Sequence, residues 1–181
     1  MNRQPLQGDL AAAVRTAIRD VPDFPRSGIL FRDITPLLAD PDLFRAVTRH
    51  MGAWSAGDGV THAVGIESRG FIFAAPVAQL LSASFVPVRK PGKLPARALR
   101  EEYALEYGTD ALEVHADALG PGSRVLIVDD VLATGGTAAA ACRLVERAGA
   151  TVVACSFLLE LAPLGGRMKL SGRTVNALLA Y

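Results

Sequence analysis

Five short apolar segments alternate with helical segments along this chain of 181 residues. Each segment is apolar along most of its length, which predicts a strand that is buried on both faces. Buried strands that alternate with helices predict an α/β fold with a central, mainly parallel sheet flanked by helices. The predicted strands are Thr61–Ile66, Phe85–Val88, Arg124–Val128, Thr151–Leu159 and Thr174–Leu179.

The charge balance limits the kinds of partner that the chain can bind. Lysine and arginine total 19 and aspartate and glutamate total 18, which gives a formal net charge of +1. This balance provides no broad positive field for non-specific nucleic-acid binding, so we expect no nucleic-acid partner. Half of the residues are hydrophobic, which excludes an acidic disordered tail. The length predicts one domain over residues 1–181.

One uncharged stretch, Gly70–Val88, is about as long as a membrane span. Prolines and polar residues interrupt it, so we predict a buried helix at Phe71–Leu81, a strand at Phe85–Val88 and no membrane association. The N-terminus lacks the apolar region of a secretory signal. Cys142 and Cys155 lie in apolar runs without metal-site spacing, which predicts reduced core thiols in a cytoplasmic protein.

The strongest local signal follows the predicted strand Arg124–Val128. Two carboxylates, Asp129 and Asp130, are followed by a loop of small residues and a helix predicted to begin at Thr137. A helix N-terminus suits a phosphate, and carboxylates suit a sugar diol or a hydrated cation. The combination predicts a site for a 5-phosphorylated ribose; the alternative is an ordinary turn with solvated aspartates. The loop residues are Ala133, Thr134, Gly135, Gly136 and Thr137.

Two other predicted strands end in charged loops. Glu67, Ser68 and Arg69 follow Thr61–Ile66, and an arginine at a helix start indicates an anionic partner such as a pyrophosphate. Lys90 lies nearest the end of the next strand, within a segment that has five basic residues and no acid between residues 89 and 100. A local surface ion pair and a solvated basic loop are the alternatives. Because the carboxyl ends of parallel strands share one edge, we expect a single site there.

The segment VLIVDDVLATGGT resembles the phosphoribosyl-pyrophosphate motif of the type I phosphoribosyltransferases. The resemblance implies that Asp129 and Asp130 hold the ribose hydroxyls and that Ala133–Thr137 wraps the 5-phosphate. It also implies that the loop at Glu67–Arg69 binds pyrophosphate and carries a non-proline cis peptide at Glu67–Ser68. Mg²⁺ is the implied cofactor, held mainly by the pyrophosphate and not directly by protein ligands.

Four separated motifs are similar to the adenine-specific branch of this family, over about residues 14–181. The resemblance implies a small N-terminal hood, at about residues 21–36, that covers the base. Phe31 would stack on the purine, a contact worth on the order of 1–3 kcal/mol. Leu30 and Arg32 would lie at the purine edge. The motifs are DFPRSGILFRDITPLLADP, GIESRGFIFAAPVAQLL, VPVRKPGKLP and LEYG.

The resemblance also implies a flexible catalytic loop at about residues 91–110. Glu106 would be an acid/base at adenine N7, and Tyr107 would close over the site. The residue pattern itself predicts irregular structure over residues 89–110, apart from a hairpin that pairs Tyr103–Tyr107 with Ala111–His115.

The implied reaction belongs to purine salvage: adenine and 5-phosphoribosyl 1-pyrophosphate (PRPP) give AMP and pyrophosphate, in a homodimer. The same transfer to xanthine, hypoxanthine, guanine or orotate is an alternative, against which the hood motif argues. A second alternative is a non-catalytic regulator that uses the pocket to sense a ligand, although such a regulator would be expected to carry a DNA-binding module. A third alternative is another ribose-phosphate-binding enzyme, such as a diphosphokinase, which would be expected to have a longer chain.

Overall fold

The computed structural model describes residues 7–55, 57–104 and 108–181. The chain divides into two compact units, one ending at His50 and the other running from Met51 to Tyr181. Each unit is described separately below.

The first unit contains the predicted hood. Strands β1 and β2 pair antiparallel, with Arg19 opposite Asp33 and Pro22 opposite Leu30. The connection between them contains a cis Phe24–Pro25 peptide. The hood is therefore built on a two-stranded hairpin. In chain order, the elements that begin in this unit are α1 (Gln7–Ala17), β1 (Arg19–Pro22), β2 (Leu30–Asp33), α2 (Thr35–Ala39) and α3 (Pro41–Ala53).

The second unit is built on five parallel strands in the order β4-β3-β7-β8-β9. This arrangement confirms the predicted α/β fold with a parallel sheet. The elements in chain order are β3 (His62–Ile66), α4 (Gly70–Leu80), β4 (Ser84–Val88), β5 (Ala98–Ala104), β6 (Thr109–His115), β7 (Arg124–Leu132), α5 (Gly136–Arg147), β8 (Thr151–Glu160), the 3-10 helices Ala162–Leu164 and Gly166–Leu170, and β9 (Val175–Ala180).

The core of the second unit lies against this sheet. The central strand β7 has four successive apolar residues, Val125 to Val128, with no solvent exposure. Helix α5 packs an alanine-rich face against the same core. Cys142 of α5 and Cys155 of β8 are fully buried free thiols with their Sγ atoms 3.7 Å apart. Both cysteines are therefore core residues, as predicted.

The uncharged stretch Gly70–Val88 divides into α4 and β4, as predicted. In the part of the chain that the structure describes, no helix is both long and apolar enough to cross a membrane.

The segment predicted to be irregular, residues 89–110, contains most of a β-hairpin. Strands β5 and β6 pair from Ala98 opposite His115 to Ala104 opposite Thr109, so the hairpin prediction placed the first strand too late. The inward positions of β5 include the charged residue Glu101, which obscures the alternation of a half-buried strand. Its carboxylate accepts hydrogen bonds of 2.6 Å from both Arg143 and Arg147 of α5.

Candidate active site

A cavity of about 380 Å³ lies at the carboxyl edge of the parallel sheet. In parallel α/β sheets this edge is where ligands bind, because the loops that follow the strands converge there. The cavity brings together all three loops that the sequence singled out. Its lining includes the predicted residues Glu67, Ser68, Arg69, Lys90, Asp129, Asp130, Ala133, Thr134, Gly135, Gly136 and Thr137.

The loop between β7 and α5 presents the start of the helix to the cavity. Gly135 is the N-cap of α5, with φ of 75° in the left-handed region. The first hydrogen bond along the helix runs from the Ala139 N–H to the Gly135 carbonyl, at 2.9 Å. The N–H groups of the preceding residues therefore have no partner within the helix and can bind an anion.

This loop has a support that the sequence prediction missed. A Cβ atom on Gly135 would lie 2.2 Å from the carbonyl oxygen of Gly166, and one on Gly166 would lie 2.2 Å from that of Ala133. The 3-10 helix Gly166–Leu170 thus packs its backbone directly on the loop. No local motif reveals this contact, because it joins distant parts of the sequence.

The acidic pair lies within β7, not after it. The strand was predicted to end at Val128, but it continues to Leu132 because β8 pairs with it along this length. Asp129 Oδ1 accepts a 2.9 Å hydrogen bond from the Asp130 N–H. Asp130 is buried, and its Oδ2 lies 2.7 Å from Arg69 Nε in an ion pair.

The two carboxyl groups have raised affinities for protons. Burial raises the pKa of Asp129 well above its ordinary value of 3.8, and the neighbouring charge of Asp130 adds to the shift. Burial also raises the pKa of Asp130, although the Arg69 guanidinium opposes the shift. The pair is thus a desolvated acceptor site, ready to take hydroxyl donors or a cation.

Glu67 and Ser68 are joined by the predicted non-proline cis peptide. The Glu67 carboxylate accepts hydrogen bonds from Lys93 Nζ at 2.7 Å and from the Lys90 N–H at 2.9 Å, and Arg89 lies 3.4 Å away. Burial alone would raise the pKa of Glu67, but these donors lower it to about 2. Glu67 therefore ties the basic loop that follows β4 to the loop that follows β3.

Replacing Glu67 with glutamine should lower the free energy of unfolding at neutral pH by about 1 kcal/mol, since its partly exposed partners are screened by solvent. The pKa of Glu67 falls from an ordinary 4.5 to about 2 on folding, so its stabilisation is complete above about pH 4.5 and is lost as the pH falls towards 2. Urea unfolding of the wild type and of Glu67→Gln should show that their difference in the free energy of unfolding becomes smaller as the pH is lowered. A difference that does not depend on pH would contradict this role of Glu67.

Lys90 has partners on the β5–β6 hairpin. Its ammonium group donates to Asp110 Oδ2 and, at 2.9 Å, to Tyr103 Oη. Burial alone would lower the pKa of Lys90, but hydrogen bonds to Asp110 and Tyr103 raise it above its ordinary value. The sequence identified this lysine but neither of its partners.

The predicted base-binding residues lie on β2 of the first unit. Leu30 is 49% exposed, and Phe31 packs edge to face on Phe24 with ring centroids 5.1 Å apart. Arg32 forms an ion pair with Asp20 across the hairpin. Packing against Phe24 holds the ring of Phe31 at this point of the strand.

Two predicted residues, Glu106 and Tyr107, lie outside the described residues. Within the described ranges, no group of three or more histidine, cysteine, aspartate or glutamate side chains could hold a metal ion. The carboxylates that line the cavity are those of Glu67 and of the acidic pair Asp129 and Asp130.

Comparison with known proteins gives a consistent result. A family model described as the phosphoribosyl transferase domain matches residues 35–169. An adenine phosphoribosyltransferase of Anaeromyxobacter dehalogenans is 60% identical over 170 residues, which cover 93% of this chain and 98% of that protein. One of Kineococcus radiotolerans is 59% identical over 169 residues, covering 93% and 91%.

Solved structures agree with these relatives. The crystal structure of adenine phosphoribosyltransferase from Rhodothermus marinus matches with a TM-score of 0.92 at 52% identity, covering 96% of this chain and 99% of that one. The Saccharomyces cerevisiae enzyme, complexed with an imino-altritol bisphosphate and adenine, matches with a TM-score of 0.89 at 40% identity, covering 94% and 99%.

Proposed function

The chain belongs to the adenine phosphoribosyltransferases, and from this membership we infer that it acts in purine salvage. It transfers the 5-phosphoribosyl group of PRPP to N9 of adenine, giving AMP and pyrophosphate. One observation carries the assignment of the site. A single cavity contains the loop Ala133–Thr137, which we call the phosphate loop, the acidic pair Asp129 and Asp130, and the cations of Arg69 and Lys90.

Each part of the cavity matches one part of PRPP. We assign the 5-phosphate to the loop Ala133–Thr137, where helix N–H groups and hydroxyls converge. The ribose hydroxyls would donate to Asp129 and Asp130. The pyrophosphate would lie beside Arg69 and Lys90, whose charges are the complement of its own. The Saccharomyces cerevisiae complex with adenine and a bisphosphate supports a base and phosphate groups as ligands.

The reaction requires breakage of the bond between ribose C1 and the pyrophosphate oxygen. The electron pair leaves with pyrophosphate, and Arg69 and Lys90 stabilise the charge that develops there. Asp129 and Asp130 fix the ribose so that C1 faces N9 of adenine. Adenine bound as its N7–H tautomer has a free lone pair at N9, which forms the new bond, and we assign the proton then lost from N7 to the carboxylate of Glu106.

The site fits a Mg²⁺ ion that is bound mainly by PRPP and only in part by the protein. Among the described residues, the carboxylates that line the cavity are those of Glu67, Asp129 and Asp130. Because the Glu67 carboxylate already accepts hydrogen bonds from Lys90 and Lys93, the pair Asp129 and Asp130 would face the ion, and the remaining ligands would come from pyrophosphate and water. When bound, the ion neutralises charge on the leaving pyrophosphate.

Adenine selection is assigned to the hood. The ring of Phe31 would stack on the purine, with Leu30 and Arg32 at its edge. A backbone carbonyl that accepts from the exocyclic amine would favour adenine over a 6-oxo purine, which presents no donor there. We also propose that the enzyme is a homodimer and that it is cytoplasmic. Light scattering can test the oligomeric state.

The function is tested by base selectivity. The protein is incubated with Mg²⁺, PRPP and one base at a time, and pyrophosphate release is followed together with nucleotide formation. We expect release with adenine and none with hypoxanthine, guanine, xanthine or orotate. Pyrophosphate release with hypoxanthine alone would mean that the enzyme acts on hypoxanthine instead of adenine. No release with any base would overturn the proposed phosphoribosyltransferase activity.

Replacing Glu106 with alanine should lower kcat by about 100-fold, the low end of the range for losing a general acid or base. The KM for PRPP should change little, because Glu106 is assigned to the base and not to the donor. Steady-state kinetics with Glu102→Gln as the control would test this. An unchanged kcat would remove Glu106 from the mechanism.

A further inference from the structure

The hydroxyl of Tyr103 joins two residues that line the cavity, Lys90 and Thr137. Tyr103 Oη accepts a hydrogen bond from Lys90 Nζ at 2.9 Å and one from Thr137 Oγ1 at 3.4 Å. It donates to Asp110 Oδ2 at 3.2 Å. Lys90 follows β4, Thr137 belongs to the phosphate loop, and Tyr103 and Asp110 lie on the β5–β6 hairpin. One polar network therefore joins three separate segments at the cavity.

The network holds Lys90 without using all of its donors. An ammonium group has three hydrogens, and two are donated here, to Asp110 and to Tyr103. Lys90 lines the cavity, so its third hydrogen can serve an anion there. The Asp110 carboxylate is itself fixed, because its Oδ1 accepts a 2.7 Å hydrogen bond from the Ala111 N–H.

Tyr103 is suited to a positioning role by its own burial. It is 6% exposed and packs in the core of the second unit, so its hydroxyl stays at one point. The Lys90 and Asp110 side chains keep about a third of their surface exposed. Without its partners, the long Lys90 side chain could occupy several rotamers, and binding an anion would then require ordering it.

We propose that Tyr103 and Asp110 are positioning residues that fix the ammonium group of Lys90 at the cavity for the pyrophosphate of the donor. The proposal rests on the function inferred above. Neither residue touches the reacting atoms. Both act through Lys90.

Tyr103→Phe is the sharpest test because it removes only the hydroxyl and keeps the buried ring. We expect the KM for PRPP to rise about fivefold, the effect of leaving one long side chain to be ordered on binding. The KM for adenine and the melting temperature should stay close to those of the wild type. Asp110→Asn should also raise the KM for PRPP, by about three- to tenfold.

The dependence on Lys90 separates positioning from a merely structural role. Both substitutions are repeated in a Lys90→Met background, where there is no ammonium group to position. We expect each to change the KM for PRPP there by less than about twofold. Glu102→Gln, which removes an exposed carboxylate paired with Arg100 on the same strand, is the matched control for loss of charge.

Two results would overturn the proposal. One is an equal rise in KM with and without Lys90, which would mean that Tyr103 and Asp110 act independently of it. The other is an unchanged or lowered KM in Tyr103→Phe or Asp110→Asn, which for Asp110 would mean that it competes with pyrophosphate for Lys90. If the wild type makes no AMP, the proposed function fails; pyrophosphate binding measured by calorimetry in the same variants would still test the positioning.

Discussion

Asp130→Asn is expected to lower kcat/KM for PRPP by about 100- to 1000-fold, the range observed when one preorganised electrostatic group is removed from an active site. Asparagine has nearly the same shape, but it removes the charge and replaces one acceptor with a donor. The ribose hydroxyls would then lose an acceptor. Arg69 would lose the ion pair, 2.7 Å long, that holds its guanidinium at the cavity.

The same substitution should not destabilise the protein. Burial raises the pKa of Asp130, so its ionisation increasingly opposes folding as the pH rises above the ordinary value of 3.8, and the effect is complete once the pH exceeds the raised pKa. At neutral pH the neutral amide avoids this unfavourable contribution. We expect the melting temperature to stay at or above that of the wild type while activity is lost.

Two further variants show whether the loss of activity in Asp130→Asn is specific to the site. Arg69→Ala should also lose most turnover, since it removes the cation assigned to pyrophosphate. Asp117→Asn, at an exposed turn, is the control for loss of a carboxylate and should be fully active. An Asp130→Asn enzyme with near wild-type AMP synthesis would show that the acidic pair has been assigned wrongly.

Gly135→Ala is expected to damage both the phosphate site and the fold. A Cβ at this position would lie 2.2 Å from the backbone oxygen of Gly166, and backbone cannot rotate away as a side chain can. Adding the cost of a left-handed φ, about 1–2 kcal/mol, to that of overpacking, about 1–3 kcal/mol, gives a loss of about 2–5 kcal/mol in the free energy of unfolding. The displaced loop should lower kcat/KM for PRPP by about 100-fold, since misplaced groups no longer match the donor.

A second glycine separates the two costs. Gly122 also has a positive φ, 87°, but a Cβ there would meet no atom within 4 Å. Gly122→Ala should therefore lose only about 1–2 kcal/mol, from backbone conformation, and should keep its activity. Urea unfolding and PRPP kinetics of both variants provide the comparison. Equal losses in the two proteins would mean that the contact with Gly166 has no energetic importance.

How far the site could be predicted depended on how its parts are spaced along the chain. Asp129, Asp130 and the loop Ala133–Thr137 are nearly contiguous, so a strand, a turn and a helix start place them without knowledge of distant contacts. The ends of β3 and β4 could be added because parallel strands share one edge for their carboxyl ends.

The parts that could not be predicted depend on contacts between distant segments. The packing of Gly166 on the phosphate loop involves backbone atoms, which leave no pattern in the sequence. Tyr103 and Asp110 become visible only when the hairpin register is known, because that register brings them opposite each other. The start of strand β5 was predicted too late because Glu101, which binds two arginines of α5, occupies an inward position.

The neighbouring thiols of Cys142 and Cys155 allow ligand binding at the start of α5 to be followed without measuring turnover. Both are fully buried, and the Cys142 thiol and burial together raise the pKa of Cys155 above its ordinary value of 9.0. A thiol reagent in water can reach Cys142 only when α5 separates from the sheet, and α5 is the helix that begins in the phosphate loop. The rate of thiol labelling therefore reports how often α5 separates from the sheet. A ligand that binds at the start of α5 in the closed state will lower this rate, even in a variant that makes no AMP.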